Sequence, residues 1–279
     1  MNIEEVNRDD CVVQGFGEEW SRFSQEQLTT EERETIFEDY FSIFPWEELP
    51  VHSRGADIGC GSGRWATVVA PRVGHLVCVD ASADALEVAR RNLMGFDNVE
   101  FQNADVGHLP FSEGELDFAY SLGVLHHVPD TEGAIANIGK RLKAGGLFLV
   151  YLYYAFDNRP FWFRFLWRLA DLLRRVLCRM PARLRFLLCD AVAALVYWPL
   201  ARTAALLARF GIAAEHFPLR YYRYKSFYVM RTDALDRFGT RLEKRFTQTQ
   251  IFDLLTRAGF SDIQFSSRTP YWCALGRKQ

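Results

Sequence analysis

Three acids and a run of glycines are the residues best placed to do chemistry. The stretch "ADIGCGSGRW" sets Asp57 at the end of a short apolar run and follows it with Gly59, Gly61 and Gly63. Glycines in that position let the backbone turn sharply and approach a ligand closely, ahead of a helix whose N–H groups point at it. A dinucleotide turn of the G-x-G-x-x-G kind needs a third glycine at position 64, and that residue is Arg64, so a nicotinamide cofactor is disfavoured. Asp80 ends the next apolar run, "HLVCVDAS", 23 residues after Asp57. A carboxylate there is placed to accept two hydrogen bonds from a ribose diol. Asp105 ends "VEFQNAD" and can accept from an adenine amino group, with Ala104 and Val106 beside the ring. Acids at the carboxyl ends of successive strands sit where open α/β sheets bind ligands.

Elements that could position these groups are readable around them. From Gly55 to Tyr154, β-rich runs alternate with helical ones: "ADIG", "HLVCVDAS", "VEFQNAD", "LDFAYSLGVL" and "GGLFLVYLYY", with an amphipathic "ADALEVARRNL" and a helix around "EGAIANIGKRL". That alternation predicts a parallel sheet with helices on both faces. Before it, residues 1–50 read as short helices, with Thr30 as the N-cap of "TTEERETIFEDYFSIFPW". At the other end "TQTQIFDLLTRAGF" predicts a helix stopped at Gly259, and "DIQFSS" and "YWCALGR" two closing strands.

Between these parts lies the stretch from Phe156 to Gly211. On its first half Trp162, Phe165, Leu166, Leu169, Leu172, Leu173, Val176 and Leu177 share a helical face, and Arg164, Arg168, Arg175 and Arg179 lie opposite. Pro181 and Pro199 are expected to interrupt the helices. The net charge of the chain is only −2, but Phe156–Ile212 holds ten Arg against three Asp and no Lys, a local +7. The longest uncharged run is Ala191–Ala201, eleven residues with Pro199 inside, which predicts no membrane-spanning helix. Arginines interleaved with Trp, Phe and Leu do not make a nucleic-acid arm, and no nucleic-acid partner is expected. Two readings remain: a cap that builds an acceptor pocket, or a helix pair lying on a membrane surface. The six cysteines are scattered without a C-x-x-C pair, so no metal is expected and buried free thiols in a reducing, cytoplasmic setting are. The acidic "MNIEEVNRDD" is not a secretory signal.

The ordered set "DIGCGSG", "VDAS" with Asp80 and Ala81, "NADVGHLPF" with Asp105, "LDFAYSLGVLHHVPD" and "LKAGGLFLV" resembles class I S-adenosylmethionine-dependent methyltransferases of the type 11 kind. The resemblance covers about residues 53–153 and, more loosely, the last 35 residues. It implies a Rossmann-like, doubly wound sheet of seven strands, six parallel and one antiparallel, with an α-helical cap inserted after the fifth strand. It further implies an N-terminal segment over the cofactor site (1–50), a cofactor-binding core (51–155), the cap (156–245) and a return to the core (246–279). Gly59, Gly61 and Gly63 would pass the methionine part of the cofactor, and Asp57 would orient that loop or meet the amino group through water. Asp80 with Ala81 would hold the ribose, Asp105 with Val106 the adenine, and backbone at Ser121 and Leu122 the aminopropyl arm. "GFGEEWSRF" resembles the segment that some members fold over the cofactor, which nominates Trp20 as a closing residue, with simple packing as the competing reading.

In such an enzyme the cofactor brings the reactive methyl, and the protein holds the acceptor close and aligned. The product would be S-adenosylhomocysteine. A base is needed only where the acceptor must lose a proton. His126 and His127, past the fourth strand, are the candidates, with His126 favoured; one of the pair is expected to pack locally. His108 and His216 read as incidental, His52 and His75 as surface, and Cys60 as a small filler in the loop rather than a nucleophile. Arg220, Tyr221, Arg223 and Tyr224 can line an acceptor site or be solvated charges and core aromatics, and both readings stay open. The expected activity is methylation of an oxygen, in preference to nitrogen or carbon, on a small anionic or sugar-derived metabolite by a monomer or homodimer. A membrane-surface enzyme acting on an amphipathic or lipid-linked acceptor, with peripheral membrane contact, and a non-catalytic binding module are the alternatives.

Overall fold

The computed structural model describes residues 7–25, 27–212 and 217–279. His216 and the first six residues lie outside the described residues. The chain divides into two compact units, one built on a sheet and one, Phe156–Arg241 with a short segment around Leu28, built of helices.

Seven strands form the sheet: β1 (Arg54–Ile58), β2 (His75–Asp80), β3 (Val99–Asn103), β4 (Leu116–Leu122), β5 (Leu142–Tyr151), β6 (Phe260–Phe265) and β7 (Ala274–Lys278). Their order is β3-β2-β1-β4-β5-β7-β6, with β7 antiparallel to both of its neighbours and the other pairings parallel. This is the six-plus-one sheet that the resemblance implies. The order reverses between β1 and β4, and at such a switch point a crevice opens past the carboxyl ends of the strands. The central strands are apolar because both faces are covered: Ala56, Val77, Phe118, Tyr120, Phe148 and Leu149 are all within 1% of complete burial.

Helices α1 (Asp10–Arg22), α2 (Thr30–Phe41), α3 (Ala66–Val69), α4 (Ala83–Asn92), α5 (Thr131–Arg141) and α10 (Gln248–Arg257) belong with this unit or lead into it. Their starts are capped as local chemistry dictates. Asp9 accepts from Cys11 and Val12 N–H, Ser82 from Ala85 N–H, Asp130 from Gly133 N–H, and Thr247 with Gln250 closes a capping box. The expected cap at Thr30 is off by one: Thr29 Oγ1 accepts from Glu32 N–H at 3.2 Å, and Thr30 is already helical. Gly259 does stop α10, with a φ of +80°.

In the helical unit, α6 (Phe161–Leu177) ends before Pro181 as expected, and α7 (Ala182–Val192) begins just after it. Pro199 does not interrupt. A widened π turn at Ala193–Tyr197 links α7 to α8 (Trp198–Arg209), so Ala182–Arg209 is one 28-residue helix. The π turn lets the backbone pass a residue that lacks an N–H. By length and composition alone that helix is long and apolar enough to cross a membrane, which the eleven-residue uncharged run does not suggest. Residues 217–245, unassignable from sequence, form a short 3-10 turn at Arg220–Tyr224, then α9 (Phe227–Gly239), and the chain rejoins the sheet unit at Leu242.

The unit's interior is a narrow stripe of Cys189, Ala193, Tyr197, Ala201 and Ala204 on the long helix, with Met230, Ala234 and Leu235 from α9. Arg231 forks onto Asp190 at 2.9 and 3.0 Å, fastening α9 to α7. The eight-residue apolar face of α6 does not line this interior as its periodicity suggests. Only Leu177 of that set is buried; Arg174 points inward instead, donating to Asp171 and to the Thr240 and Arg241 carbonyls past the end of α9.

Candidate functional site

The glycine loop leaves β1 at Ile58 and is pinned from below. Gly59 and Cys60 N–H donate to the Val79 carbonyl at 2.7 and 3.0 Å, and Gly61 N–H donates to Asp80 Oδ2 at 2.8 Å. Gly61 has a φ of +54°, and a Cβ there would stand 2.7 Å from Trp20 Nε1. Only glycine satisfies both the left-handed backbone and that contact. Gly59 and Gly63 share the positive φ. Cys60 hydrogen-bonds with Cys78; that bond and burial push its thiol well above the usual range, which suits a filler rather than a nucleophile.

Asp80 uses one oxygen on Gly61 N–H and the other on Ser82 N–H, at 2.8 Å each. An ionised carboxylate has about four acceptor sites, so lone pairs remain for a further donor. Burial raises its pKa against those two backbone bonds. Ala81 beside it is half-buried. Asp105, two residues past β3, accepts from Gly107 N–H at 2.7 Å and faces His108 Nδ1 at 3.1 Å, so His108 is tied to this acid rather than idle. Val106 is buried, and its carbonyl accepts from Asn137. Ser121 and Leu122 end β4 beside the loop, with Ser121 Oγ donating to the Ile58 carbonyl at 2.8 Å.

Asp57 is 1% exposed. Burial pushes its carboxyl up to about 8, although a 2.9 Å hydrogen bond from Tyr120 Oη and the nearby Arg64 charge pull the other way. Tyr120 was not nominated from sequence. It reaches Asp57 because the two are register partners across β1 and β4, a relation that strand pairing alone creates.

Helix α1 crosses this end of the sheet. Trp20 packs on Gly61, Gly17 lies against Ser82 beyond β2, and the Phe16 ring meets His127 beyond β4 at 5.1 Å. Arg64 stands over both the Trp65 and Trp20 rings, at 4.3 and 5.7 Å from their centres.

Past β4 and β5 the side chains change character. Rings follow one another from His127 to Tyr153, Tyr151, Tyr40 and Trp65 at 5.2–6.0 Å spacing. His126 is fully buried, stacked on Tyr153 at 3.8 Å, and neither ring nitrogen has a hydrogen-bond partner among the described residues. Desolvation, aided by His127 and Arg245, holds its pKa well below the usual imidazole value, so it is neutral. His127 is the locally committed member of the pair, through a hydrogen bond between Nδ1 and the Leu242 carbonyl. Arg245 lies over Tyr153 and pairs with Glu243 at 2.7 Å. Tyr153, Arg245 and Glu243 carried no sequence signal, since they converge from segments about 90 residues apart. Thus the carboxyl edge has an acidic half over β1–β3 and an aromatic, imidazole-bearing half over β4–β5.

Arg220, Tyr221, Arg223 and Tyr224 belong to the helical unit. Tyr224 is exposed under the Arg223 guanidinium, Tyr221 lies under Lys225, and Tyr222 is the ring that enters the unit's interior. His52 is exposed, whereas His75 pairs with Glu100 at 3.3 Å.

Residues 56–150 match the Methyltransf_11 family model, a methyltransferase domain. Over 120 residues the chain is 32% identical to an uncharacterized methyltransferase of Bacillus subtilis, YcgJ, covering 42% of this chain and 47% of that protein. Over 98 residues it is 31% identical to a demethylmenaquinone methyltransferase of Staphylococcus saprophyticus, covering 34% of this chain and 42% of the relative. The chain therefore matches less than half the length of these relatives. A chain from a Haloferax volcanii complex containing the Trm112 methyltransferase activator superposes over 92% of this chain and 96% of its own, with a TM-score of 0.50 and 13% identity, a likeness of fold alone. Over residues 56–150 the chain is similar to methyltransferase domains.

Proposed function

We propose that the protein transfers a methyl group from S-adenosylmethionine to an oxygen of a small acceptor seated over β4 and β5. The observation that carries this reading is the division of the carboxyl edge at the β1/β4 switch point. The acidic half fits the cofactor: a glycine cradle that a Cβ would fill, Asp57 and Asp80 beside it, and Asp105 one strand further. Asp80 and Asp105 would hold the ribose and adenine, and Asp57 the amino end. When bound, the cofactor supplies a methyl carried on a sulfonium. The protein's own work is then to exclude water and hold the acceptor. Trp20 beside Gly61 and Phe16 beside His127 support a role for helix α1 in closing the edge. The neutral His126, stacked on Tyr153, can accept a hydrogen bond from an acceptor hydroxyl, while its lowered pKa makes it a weak base for taking the proton outright.

Taken by itself, the Arg220–Tyr224 turn of the helical unit has guanidinium groups that suit an anionic or sugar-derived metabolite. The six free cysteines favour a reducing, cytoplasmic setting. A second reading, an amphipathic or lipid-linked acceptor, is favoured by the exposed apolar face of α6. Calorimetry tests the cofactor: the full chain should bind S-adenosylmethionine, and Asp80→Ala should weaken binding by about tenfold or more, the loss of charge-assisted hydrogen bonds. No binding by the intact chain overturns the reading. Binding without any S-adenosylhomocysteine formed across hydroxylated, carboxylated and lipid-linked acceptors would leave a binding module instead.

A further inference from the structure

The helical unit carries an apolar surface that its own chain leaves uncovered. On α6, Phe161, Phe165, Leu169, Leu172 and Val176 are 48–78% exposed, along a 17-residue helix about 25 Å long. Scattered exposed leucines are ordinary, but a continuous stripe of this size marks an interaction surface. Leu187 and Leu195 of the long helix are exposed as well, at 65% and 77%.

The charges around the stripe say what covers it. By the helical step Arg168 lies about 20° and Arg164 about 60° from Phe161, so on α6 they flank the stripe rather than lie opposite it as expected; Arg183 and Arg209 stand at the two ends of the long helix, and all four are exposed without an ion pair among the described residues. Of the acids in this stretch, Asp171 is engaged by Arg174 and Arg175, and Asp190 by Arg231. A second copy of the chain would bring the same arginines to the contact and no unengaged acid from α6, so like charges would meet. An anionic lipid surface answers both features: acyl chains for the apolar face and phosphates for planar guanidinium groups. Trp162 sits among them, a residue type favoured at the headgroup level.

We propose that α6 lies in the plane of an anionic phospholipid surface, apolar face down, and holds the protein there peripherally. The long helix Ala182–Arg209 does not span in this arrangement. Cys189, Ala193, Tyr197 and Ala201 are buried in the unit and Asp190 is held by Arg231, so inserting that helix would strip its own core. The inference stands apart from methyl transfer, since lipid binding is measured without acceptor or cofactor.

The test is co-sedimentation of the full chain with phosphatidylcholine vesicles, with and without phosphatidylglycerol. Binding should be tighter by about tenfold or more on the anionic vesicles and should weaken at high salt. Leu169→Glu with Leu172→Glu should abolish it, while thermal unfolding and S-adenosylmethionine binding stay as in the parent because both positions are exposed. Arg164→Gln with Arg168→Gln should remove the preference for anionic lipid. No vesicle binding by the parent, or equal binding by the double glutamate variant, overturns the proposal. Two other outcomes also overturn it: resistance to alkaline carbonate extraction, which means a spanning helix, and a parent dimer that the glutamate variant dissociates without any lipid binding, which means a second copy.

Discussion

Replacing Asp57 by Asn isolates one buried charge. Its pKa stands at about 8 against an ordinary 3.8, with burial the main cause. Below pH 3.8 the carboxyl is protonated in both folded and unfolded chains and carries no pH-linked penalty. Between 3.8 and about 8 the unfolded chain is ionised and the folded one is not, so stability is lost as pH rises, and the loss levels off above the folded value. Each unit of separation corresponds to about 1.4 kcal/mol, which makes the penalty at pH 7 roughly 4 kcal/mol in order of magnitude. Asn keeps the shape, can still accept from Tyr120 Oη, and cannot ionise. Urea denaturation of parent and variant at several pH values between 5 and 8 should show the variant gaining on the parent by about 1 kcal/mol per pH unit. The difference between the two proteins is the quantity to read, because the lowered pKa of His126 makes stability rise with pH up to its ordinary value of 6.5 in both, whereas Glu100 and Asp171 act only below about pH 5. A difference that stays flat across this range would refute the assignment of Asp57 as a buried, protonated acid. The same substitution should weaken S-adenosylmethionine binding if Asp57 meets the amino end of the cofactor.

Gly61→Ala should cost about 1–2 kcal/mol for the left-handed backbone and push Trp20 off the loop, seen as a change in tryptophan fluorescence and faster proteolysis within α1. An unchanged spectrum would mean that α1 does not rest on the loop. Asp190→Asn breaks a half-buried bidentate pair and should destabilise the helical unit by about 1–3 kcal/mol. Hydrogen exchange should rise in α7 and α9 while cofactor affinity holds; loss of cofactor affinity would show that this pair matters beyond its own unit.

Much of the sheet unit was legible because its signals are local. Strands buried on both faces read as short apolar runs, and a turn with three positive-φ glycines admits few other residues. Asp80 and Asp105 follow from their places at strand ends, and each does meet loop backbone there. Tyr120 was not legible, since its partnership with Asp57 exists only once β1 and β4 are in register. Nor were Tyr153 and Arg245, which meet through the return of the chain at Leu242. The two histidines looked equivalent in sequence; the Leu242 carbonyl and the Tyr153 ring separate them.

The helical stretch shows the boundary most clearly. Sequence alone determined that α6 is amphipathic, because apolar residues recur at the helical period whatever surrounds them. Which face turns inward was decided by tertiary structure, where Arg174 finds Asp171 and two carbonyls inside the unit and the leucines are left outside. Pro199 likewise marks a break by its covalent chemistry, and the widened turn before it carries the helix through. Periodicity states that a face exists; only the partners available in the folded chain settle what that face meets.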